Sequence, residues 1–210
     1  MSRIGILSYG TGNLCAVHKS LSEIEESPLV ISTRADLLRV DALVLPGVGH
    51  FGAAMRYLIA SALLSDLRTM IRAGLPTLGI CLGFQLLCEY SEEDLSMKGL
   101  GFFPLGVSRL SSRREGFVKV PQIGWNRVSP VIGRSTLYHG LNADNLLFYF
   151  ANSFGVQANE TVLGATYSHG EDYLASVESS SIFGVQFHPE KSGKQGLNVL
   201  KNFTKVIRQC

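Results

Sequence analysis

Cys81 is placed to act as a nucleophile. It lies in the pattern Gly-x-Cys-x-Gly, between Gly79 and Gly83, where an apolar strand gives way to a helix. This pattern is typical of a nucleophile elbow, a tight turn that lifts one side chain above a sheet. The turn points the thiol at the free N–H groups of the next helix, which favour a thiolate, whereas an ordinary thiol is only about 3% ionised at pH 7. A buried structural cysteine in a strand–helix turn would share the pattern, so both interpretations stand.

A nucleophilic cysteine needs a base and a group that orients the base. The segment Gln186-Phe187-His188-Pro189-Glu190 offers both. Side chains i and i+2 of an extended chain point the same way, and Pro189 keeps His188 extended, so His188 and Glu190 are expected to face one side. The imidazole would take the thiol proton, and the carboxylate would fix the ring tautomer. A histidine on a surface loop is the alternative, because Cys81 and His188 are far apart in the chain.

The segment Pro46-Gly47-Val48-Gly49 also follows an apolar strand. Its glycines allow backbone N–H groups to face a ligand. The N–H groups of Val48 and Leu82 together could stabilise the oxyanion of a tetrahedral intermediate. An ordinary turn is the alternative interpretation of this segment.

Strands and helices alternate in the first half of the chain. Apolar runs predict strands over Arg3–Tyr9, Leu29–Ser32, Ala42–Leu45 and Thr77–Ile80. The 3.6-residue period predicts helices over Leu14–Glu26, with Asn13 as its N-cap, and over Phe51–Arg72 in two pieces. Alternation of this kind predicts a parallel sheet whose carboxyl-terminal edge gathers functional residues.

The second half of the chain has a different pattern. Strand-like segments cover Phe117–Val120, Leu147–Phe150, Val162–Tyr167, Leu174–Glu178 and Ile182–Phe187, and an amphipathic helix covers Gly196–Gln209. These strands predict an antiparallel or mixed extension of the sheet. We therefore expect an α/β fold with a mostly parallel sheet flanked by helices, antiparallel strands in the second half, and a single domain over residues 1–210.

Composition excludes several classes of function. Of the 210 residues, 46% are apolar and 17% are charged, so the chain is too apolar to be disordered. The net charge of +2 gives no sign of nucleic-acid binding. The sequence pattern shows neither a membrane span nor a signal peptide, so we expect a cytoplasmic protein without membrane contact. In that reducing compartment Cys15, Cys88 and Cys210 are expected to be unpaired and structural, and the cysteine spacing predicts no metal site.

Six segments together resemble the class I, or triad, glutamine amidotransferases. Three carry the general resemblance: GICLGFQ at 79–85, PGVG at 46–49 and GVQFHPEKSG at 184–193. Three more narrow it to the glutaminase subunits of imidazole glycerol phosphate synthases: YGTGN at 9–13, VPQIGWN at 120–126 and YFANSF at 149–154. The resemblance covers most of the chain, and it implies a flavodoxin-like arrangement that needs no cofactor.

The resemblance also implies a role for each residue of the site. Cys81 would be the nucleophile, His188 the general base and then acid, and Glu190 the group that orients His188. The oxyanion hole would use the N–H groups of Val48 and Leu82. Bound glutamine would lie against Gly47, Gly49, Gln85, Asn152, Ser153 and Phe154. The face toward a partner would include Asn13, Trp125, Tyr149 and Lys191.

The implied reaction is hydrolysis of glutamine to glutamate and ammonia. In the family the ammonia passes to a (β/α)8-barrel cyclase subunit, so the resemblance implies a heterodimer. There it reacts with a phosphoribulosyl carboxamide nucleotide to give imidazole glycerol phosphate and an aminoimidazole carboxamide ribotide, a step of histidine biosynthesis. A dry channel would keep the ammonia neutral, because burying an unpaired charge is costly. We expect the loop around Val48 to be poorly formed until the partner binds.

The sequence departs from the usual family residues at several positions. Gln122 stands where His is usual, Asn152-Ser153-Phe154 where His-Ser-Tyr is usual, and Phe84 where Met is common. These departures leave open a related glutaminase subunit that supplies ammonia for amidation of a surface-polysaccharide sugar.

Two further hypotheses belong to other classes of function. One is a non-catalytic binding subunit on the same fold, against which the intact Cys81, His188 and Glu190 argue. The other is a cysteine peptidase on a similar sheet. Through the resemblance, Gln85 and the PGVG segment fit glutamine better than a peptide.

Overall fold

The computed structural model of the chain describes residues 3–10, 13–24, 26–111, 118–130, 135–158 and 164–207. Its helices are α1 (Leu14–Glu23), α2 (Arg34–Leu37), α3 (Phe51–Ala60), α4 (Leu63–Arg72), α5 (Leu82–Leu87) and α6 (Gly193–Ile207). Its strands are β1 (Ile4–Leu7), β2 (Leu29–Ile31), β3 (Ala42–Leu45), β4 (Thr77–Ile80), β5 (Tyr90–Ser91), β6 (Gly106–Arg109), β7 (Gln122–Arg127), β8 (Ser129–Pro130), β9 (Leu147–Asn152), β10 (Phe154–Gly155), β11 (Gly164–His169), β12 (Glu171–Ser179) and β13 (Ile182–Val185). Short 3-10 turns cover Ala143–Asn145 and Pro189–Lys191.

Within the described residues, eight strands form the main sheet, in the order β2-β1-β3-β4-β13-β12-β11-β8. The pairings from β2 through β13 are parallel, whereas β12, β11 and β8 add antiparallel strands at one side. The predicted α/β class, with antiparallel strands in the second half, is confirmed. In the parallel part the carboxyl ends of the strands meet at one edge, where α/β folds gather their functional residues.

Two apolar cores cover the two faces of the main sheet. In β3, Ala42 and Val44 pack into one core with residues of α1 and α6, whereas Leu43 and Leu45 pack into the other with residues of α3, α4 and α5. Alternate side chains of a strand point to opposite faces, so a strand buried on both faces needs an unbroken apolar run. Each such Leu or Val stabilises the fold by about 1.5–3 kcal/mol.

Two smaller sheets lie beside the main one in the described part of the chain. Strands β10, β6 and β5 form one of them, and β7 pairs antiparallel with β9 to form the other. In the β7–β9 ladder Gln122 lies opposite Asn152, and Trp125 lies opposite Tyr149. One short ladder therefore joins the VPQIGWN and YFANSF segments.

The structure corrects some of the predicted bounds. Among the described residues no strand forms over 118–120, and the carbonyl of Lys119 is instead bonded to the ring of His169 at 2.9 Å. Helix α1 ends earlier than predicted, because the N–H of Ile24 donates to the carbonyl of Leu21, one residue short of the α-helical spacing. Helix α6 begins earlier than predicted. Several residues of the predicted elements and motifs lie outside the described residues: Thr11, Gly12, Glu25, Phe117, Val162, Leu163, Arg208, Gln209 and Cys210.

Candidate active site

Cys81 occupies a sharp turn between β4 and α5. Its φ of +50° lies in the left-handed region that non-glycine residues rarely adopt. A β-carbon on Gly83 would lie 2.0 Å from the carbonyl oxygen of Leu45, and one on Gly79 would lie 2.6 Å from the backbone of Gly83. A side chain fits at neither position. Close backbone packing therefore fixes the turn that presents Cys81, as the Gly-x-Cys-x-Gly pattern predicted.

The pairing of β13 with β4 brings the distant histidine segment beside Cys81. The strands are parallel, and Val185 lies opposite Ile80 in the ladder. The N–H of Cys81 donates to the carbonyl of Val185 at 2.7 Å. The next residue, Gln186, donates from Nε2 to Cys81 Sγ at 3.4 Å. His188 follows two residues later, so two segments far apart in sequence meet at one edge of the sheet.

His188 and Glu190 form a buried pair. Nδ1 of His188 lies 2.8 Å from Oε1 of Glu190, and both side chains are fully buried. This contact holds a proton on Nδ1, and within the described residues Nε2 has no hydrogen-bond partner. Burial lowers the pKa of His188, but the interactions of its ring with Cys81, chiefly the negative charge of that residue, and then the hydrogen bond and charge of Glu190, outweigh burial and raise the pKa to about 10. Together these groups favour the imidazolium form of His188.

The backbone around His188 differs from its prediction, although the contact is the same. Pro189–Lys191 is a 3-10 turn rather than extended chain, and the N–H of Lys191 donates to the carbonyl of His188 at 3.0 Å. His188 itself is extended, as a residue before proline should be. The turn, and not strand alternation, brings Glu190 to the imidazole.

The prediction that the side chain of Asn13 caps α1 is wrong. Asn13 occupies the N-cap position, but its side chain makes no capping hydrogen bond. Instead Nδ2 donates to Oε1 of Glu190 at 3.3 Å. The same carboxylate oxygen is therefore shared by Asn13 and His188.

Cys81 lines a cavity of about 200 Å³. The cavity wall includes every residue that the resemblance assigned to glutamine or to the oxyanion hole: Gly47, Val48, Gly49, Leu82, Gln85, Asn152, Ser153 and Phe154. Gly47 lies so close that a β-carbon there would be 2.8 Å from Cβ of Cys81. Glu93 adds a carboxylate to the same wall. The thiol thus shares one small cavity with backbone groups, amides and an acid.

A chain of amide groups runs from the cavity wall to Cys81. Nε2 of Gln85 donates to the carbonyl of Phe154 at 3.0 Å and to Oε1 of Gln186 at 3.1 Å. Nδ2 of Asn152 donates to the same Phe154 carbonyl at 3.0 Å. Gln85 and Asn152 are therefore tied into the wall by bonds to one backbone carbonyl.

The family described as Glutamine amidotransferase class-I matches residues 13–207, a stretch that contains the elbow, the His–Glu pair and the cavity. The chain belongs to this family. Within it, the chain is similar over its length to proteins named imidazole glycerol phosphate synthase subunit HisH. The protein of that name from Methanosarcina barkeri is 42% identical over 209 residues, which are 98% of this chain and 100% of the relative. The one from Methanothermobacter thermautotrophicus is 40% identical over 205 residues, 98% of this chain and 99% of the relative.

A solved structure supports the fold of this class-I amidotransferase. The structure of PurLQS from Thermotoga maritima contains a chain that matches with a TM-score of 0.77 and 19% identity, over 99% of this chain and 100% of that chain. At that identity the likeness concerns the fold alone, and it confirms the predicted class of fold.

An aromatic cluster of the amidotransferase lies next to its His–Glu turn. The rings of Trp125 and Tyr149 meet edge to face at 6.1 Å, and Nζ of Lys191 lies 5.7 Å from the centre of the Tyr149 ring. Trp125 is 58% exposed. The N–H of His188 donates to the carbonyl of Tyr149 at 2.8 Å. Ser192 Oγ accepts from the N–H of Tyr149 at 3.0 Å and donates to the carbonyl of His188 at 2.6 Å.

The departures at Gln122 and Asn152 lie inside the protein. Both side chains are buried, and in the described part of the chain their amide oxygens have no hydrogen-bond partner. Nδ2 of Asn152 donates to the hydroxyl of Tyr167 at 3.1 Å. Asn152 lies in the cavity wall and Gln122 lies opposite it in the β7–β9 ladder, so these departures affect buried hydrogen bonding at and beside the cavity and leave the three residues of the predicted triad unchanged.

Two residues of the site, Gln186 and Glu93, were not predicted from the sequence. Gln186 carried a usable signal, because it precedes His188 by two positions in a strand-like segment. Glu93 carried none, because it stands in the acidic run 92–94 and no local pattern sets it apart. Its place depends on a loop contact, in which Oε2 accepts from the N–H of Phe51 at 2.6 Å.

The described residues contain no group of three or more His, Cys, Asp or Glu side chains that could hold a metal ion. In the same residues no helix is both long enough and apolar enough to cross a membrane. Cys88 is free and buried, as expected of a structural cysteine, whereas Cys15 is free and exposed.

Proposed function

We propose that this chain hydrolyses glutamine with Cys81 as nucleophile, His188 as base and acid, and Glu190 as the group that orients His188. The observation that carries the proposal is the place of Cys81, in the wall of a small cavity and beside a fully buried His–Glu pair. A thiol in that setting has the base and the orienting group that nucleophilic catalysis requires. Membership of the class-I glutamine amidotransferases supports glutamine as the substrate.

The first half of the reaction forms a thioester. The Cys81 thiolate attacks the carboxamide carbon of glutamine, and a C–S bond forms. The C–N bond of the tetrahedral intermediate then breaks, while the imidazolium of His188 gives its proton to the departing nitrogen, which leaves as neutral ammonia. The charge of Cys81 keeps His188 protonated before the attack, and that charge is lost when the C–S bond forms, so the imidazolium becomes the stronger acid that this step needs.

The second half of the reaction releases glutamate. A water molecule attacks the thioester carbon, and the now neutral His188 takes a proton from that water. The C–S bond breaks, and the sulfur leaves as a thiolate beside the imidazolium. Glu190 keeps the ring in one orientation throughout, because its carboxylate is bonded to Nδ1.

Other groups of the cavity would bind the reacting molecule. Leu82 is the first residue of α5, so its N–H has no acceptor within the helix and can bind an oxyanion together with the N–H of Val48. The carboxylate of Glu93 would pair with the α-ammonium group of glutamine and accept hydrogen bonds from it. Gly47 and Gly49 would let the loop approach the substrate closely.

We infer the ammonia acceptor from the relatives. Their name, subunit of imidazole glycerol phosphate synthase, supports another subunit of that enzyme as the partner. From the family resemblance we propose that this partner is a (β/α)8-barrel cyclase subunit, and that the setting is histidine biosynthesis in the cytoplasm. The exposed Trp125, with Tyr149 and Lys191, offers an aromatic and basic surface to that partner. Partner binding would complete the oxyanion loop around Val48.

Glutaminase activity tests the proposal directly. We expect activity to rise by orders of magnitude when the cyclase subunit and its nucleotide ligand are both added. Cys81→Ala should lower glutamine hydrolysis by roughly 10⁴-fold and leave ammonia-dependent synthesis by the complex intact. Cys15→Ala, at an exposed cysteine, is the matched control and should change neither rate.

Each contrary result has a definite meaning. Hydrolysis that survives Cys81→Ala would remove Cys81 as the nucleophile. Wild-type hydrolysis with no response to the cyclase subunit would move the acceptor to another partner, such as a sugar-amidating enzyme. No hydrolysis under any condition would favour a binding subunit that kept the fold.

Trp125→Ala tests the proposed partner surface. Because more than half of the Trp125 side chain is exposed, we expect its loss to change the unfolding temperature little and to weaken cyclase binding by tenfold or more. Titration calorimetry and thermal unfolding measure the two effects. A larger effect on stability than on binding would make Trp125 a structural residue.

A further inference from the structure

Gln186 is a buried polar residue that touches the sulfur of Cys81. Its side chain is fully buried, and Nε2 donates to Sγ at 3.4 Å. The contact follows from the sheet, because Val185 pairs with Ile80 and the next residue of each strand extends beyond the ladder at the same edge. Gln186 lies beneath the thiol rather than in the cavity wall, as the cavity lining within the described residues shows.

A second hydrogen bond fixes the orientation of this amide. Oε1 of Gln186 accepts from Nε2 of Gln85 at 3.1 Å, so the opposite end of the amide, which carries the hydrogens, faces Sγ. Gln85 is held in turn by the carbonyl of Phe154 at 3.0 Å. Because each amide is held by the next, Gln186 cannot turn its oxygen toward the sulfur without breaking the bond to Gln85.

We propose that Gln186 is a positioning residue, whose amide N–H holds Sγ of Cys81 toward the cavity and stabilises it as a thiolate. The proposal rests on the proposed function, in which Cys81 is the nucleophile. A hydrogen bond to an ionised acceptor is stronger than one between neutral groups, so the amide favours the thiolate over the thiol. Through Gln85, the same bonds link the sulfur to the wall against which the substrate would lie.

The other groups that act on Cys81 are distinct from Gln186. Its sulfur interacts electrostatically with His188, Tyr9 and Tyr167, and none of these side chains is part of Gln186. A change at Gln186 leaves these groups in place. The contribution of the amide can therefore be separated from that of the imidazolium.

Two substitutions separate the hydrogen bond from packing. Gln186→Met keeps the length of the side chain and removes the donor. Gln186→Glu keeps an oxygen that can accept from Gln85 and places a negative charge beside the sulfur. Gln195→Glu is the matched control, since Gln195 also uses both ends of its amide, toward Leu147 and Asn145, but lies away from Cys81.

The test is the rate of alkylation of Cys81 by iodoacetamide across pH, measured on the full chain by peptide mass spectrometry. Exposed Cys15 gives an internal reference in every sample. We expect Gln186→Met to raise the pH midpoint of Cys81 alkylation by about one unit, which is about a tenfold loss of rate at any pH below the wild-type midpoint. Gln186→Glu should raise it further, and Gln195→Glu should not change it. In the complex with the cyclase subunit, kcat for glutamine should fall about as much as the alkylation rate while KM stays constant, because Gln186 does not line the cavity.

The outcomes are distinguishable. Thermal unfolding shows whether each variant is folded. If both Gln186 variants are folded and the pH midpoint of Cys81 alkylation is unchanged, the role of Gln186 is overturned and Cys81 remains the proposed nucleophile. If only Gln186→Glu folds, an alkylation midpoint equal to that of the wild type also overturns the proposed role of Gln186. Wild-type protein that alkylates at Cys81 but hydrolyses no glutamine with its partner overturns the proposed function instead.

Discussion

Cys81 stands on a turn in which backbone atoms touch, whereas His188 stands on a turn that side-chain hydrogen bonds hold. At the first turn, a β-carbon on Gly83 would lie 2.0 Å from the carbonyl oxygen of Leu45. At the second, Glu190 and Ser192 each hold His188 through one hydrogen bond, at 2.8 Å and 2.6 Å respectively. The position of the proposed nucleophile therefore depends on close backbone packing, whereas that of the proposed base depends on hydrogen bonds that can be lost one at a time.

The difference has a chemical reason in the proposed mechanism. The thiol must reach one carbon atom from a fixed direction, and a rigid turn supplies that direction at no cost to the later steps. The imidazole must first give and then take a proton, so its surroundings have to bind both forms. Hydrogen-bonding side chains can do so, because a carboxylate accepts from Nδ1–H in either state of the ring.

The largest effect is expected for Gly83→Ala. The added methyl group meets backbone that cannot give way, so we expect a loss of about 3 kcal/mol in the free energy of unfolding. Displacement of Cys81 should also lower glutaminase activity by about 100-fold. Urea unfolding and the glutaminase assay measure the two losses.

Gly140→Ala is the control for this prediction. Gly140 has a φ of +75° and open space around its α-carbon. The substitution should therefore cost only about 1–2 kcal/mol of backbone strain and leave activity unchanged. Equal losses at Gly83 and Gly140 would mean that backbone contact does not fix the elbow.

The next effect concerns the proton on His188. Burial lowers its pKa, and the charge of Cys81 is the largest cause that raises it, so Cys81→Ala should lower the pKa from about 10 toward 6.5 or below. Glu190→Gln should lower it less. Titration of the imidazole by NMR measures both shifts, and a His188 that titrates alike in wild type and Cys81→Ala would contradict the pairing.

The same shift makes stability depend on pH. The folded chain keeps the His188 proton up to about pH 10, whereas the unfolded chain releases it near 6.5. The contribution of His188 is therefore complete below about pH 6.5 and is lost as the pH rises through 10. The advantage of the wild type over Glu190→Gln, which lowers the pKa of His188 and leaves Cys81 in place, should shrink across that interval in urea unfolding.

A smaller loss is expected for Ser192→Ala. The substitution removes the bond to the carbonyl of His188 and leaves the N–H of Tyr149 without its acceptor. We expect a cost of about 2 kcal/mol in stability and a tenfold loss of glutaminase activity. Ser61→Ala removes a hydrogen bond of 3.4 Å from a hydroxyl to the carbonyl of Leu58 at the end of α3, and it should have little effect on stability or activity. Similar results for the two serines would show that Ser192 does not hold the base.

The smallest effect is expected for Asn13→Ala. It removes one partly buried hydrogen bond of 3.3 Å to Glu190, so activity should fall about threefold. Asn13→Asp should cost more, because it places a second negative charge beside the carboxylate. If Asn13→Asp were as active as wild type, the contact with Glu190 would have no role in setting the base.

The same comparison explains what the sequence could predict. The elbow is local, because its glycines and the adjoining strand and helix lie within one short segment. The sequence therefore predicted both Cys81 and the turn that presents it. The parallel strands of the first half were found for the same reason, since β3 and β4 are continuous apolar runs with the predicted bounds. The position of Glu190 beside His188 was also predicted, although a 3-10 turn produced it.

What the sequence could not predict depends on pairing between distant segments. The meeting of Cys81 with His188 requires β13 to insert beside β4, and no local pattern states that choice. Glu93 enters the cavity through a loop contact, which has no periodicity. Asn13 has the composition of a helix cap, but its amide bonds to Glu190, which lies far away in the chain. Residues 118–120 have the apolar pattern of a strand but no partner strand in the described structure.

The insertion of β13 between β4 and β12 also has a consequence for folding. Strand β4 is made early, yet its neighbour in the finished sheet comes from the last part of the chain. Closing so long a loop is slow, because its entropy must be lost before the contact is gained. Until then, the edge of β4 is open, and Cys81 has no histidine beside it. In a nascent chain the thiol would therefore be inert, and ammonia release could begin only after the final strand has been added. Refolding kinetics test this order: it would be contradicted if glutaminase activity appeared before the amides between β4 and β13 were protected from hydrogen exchange.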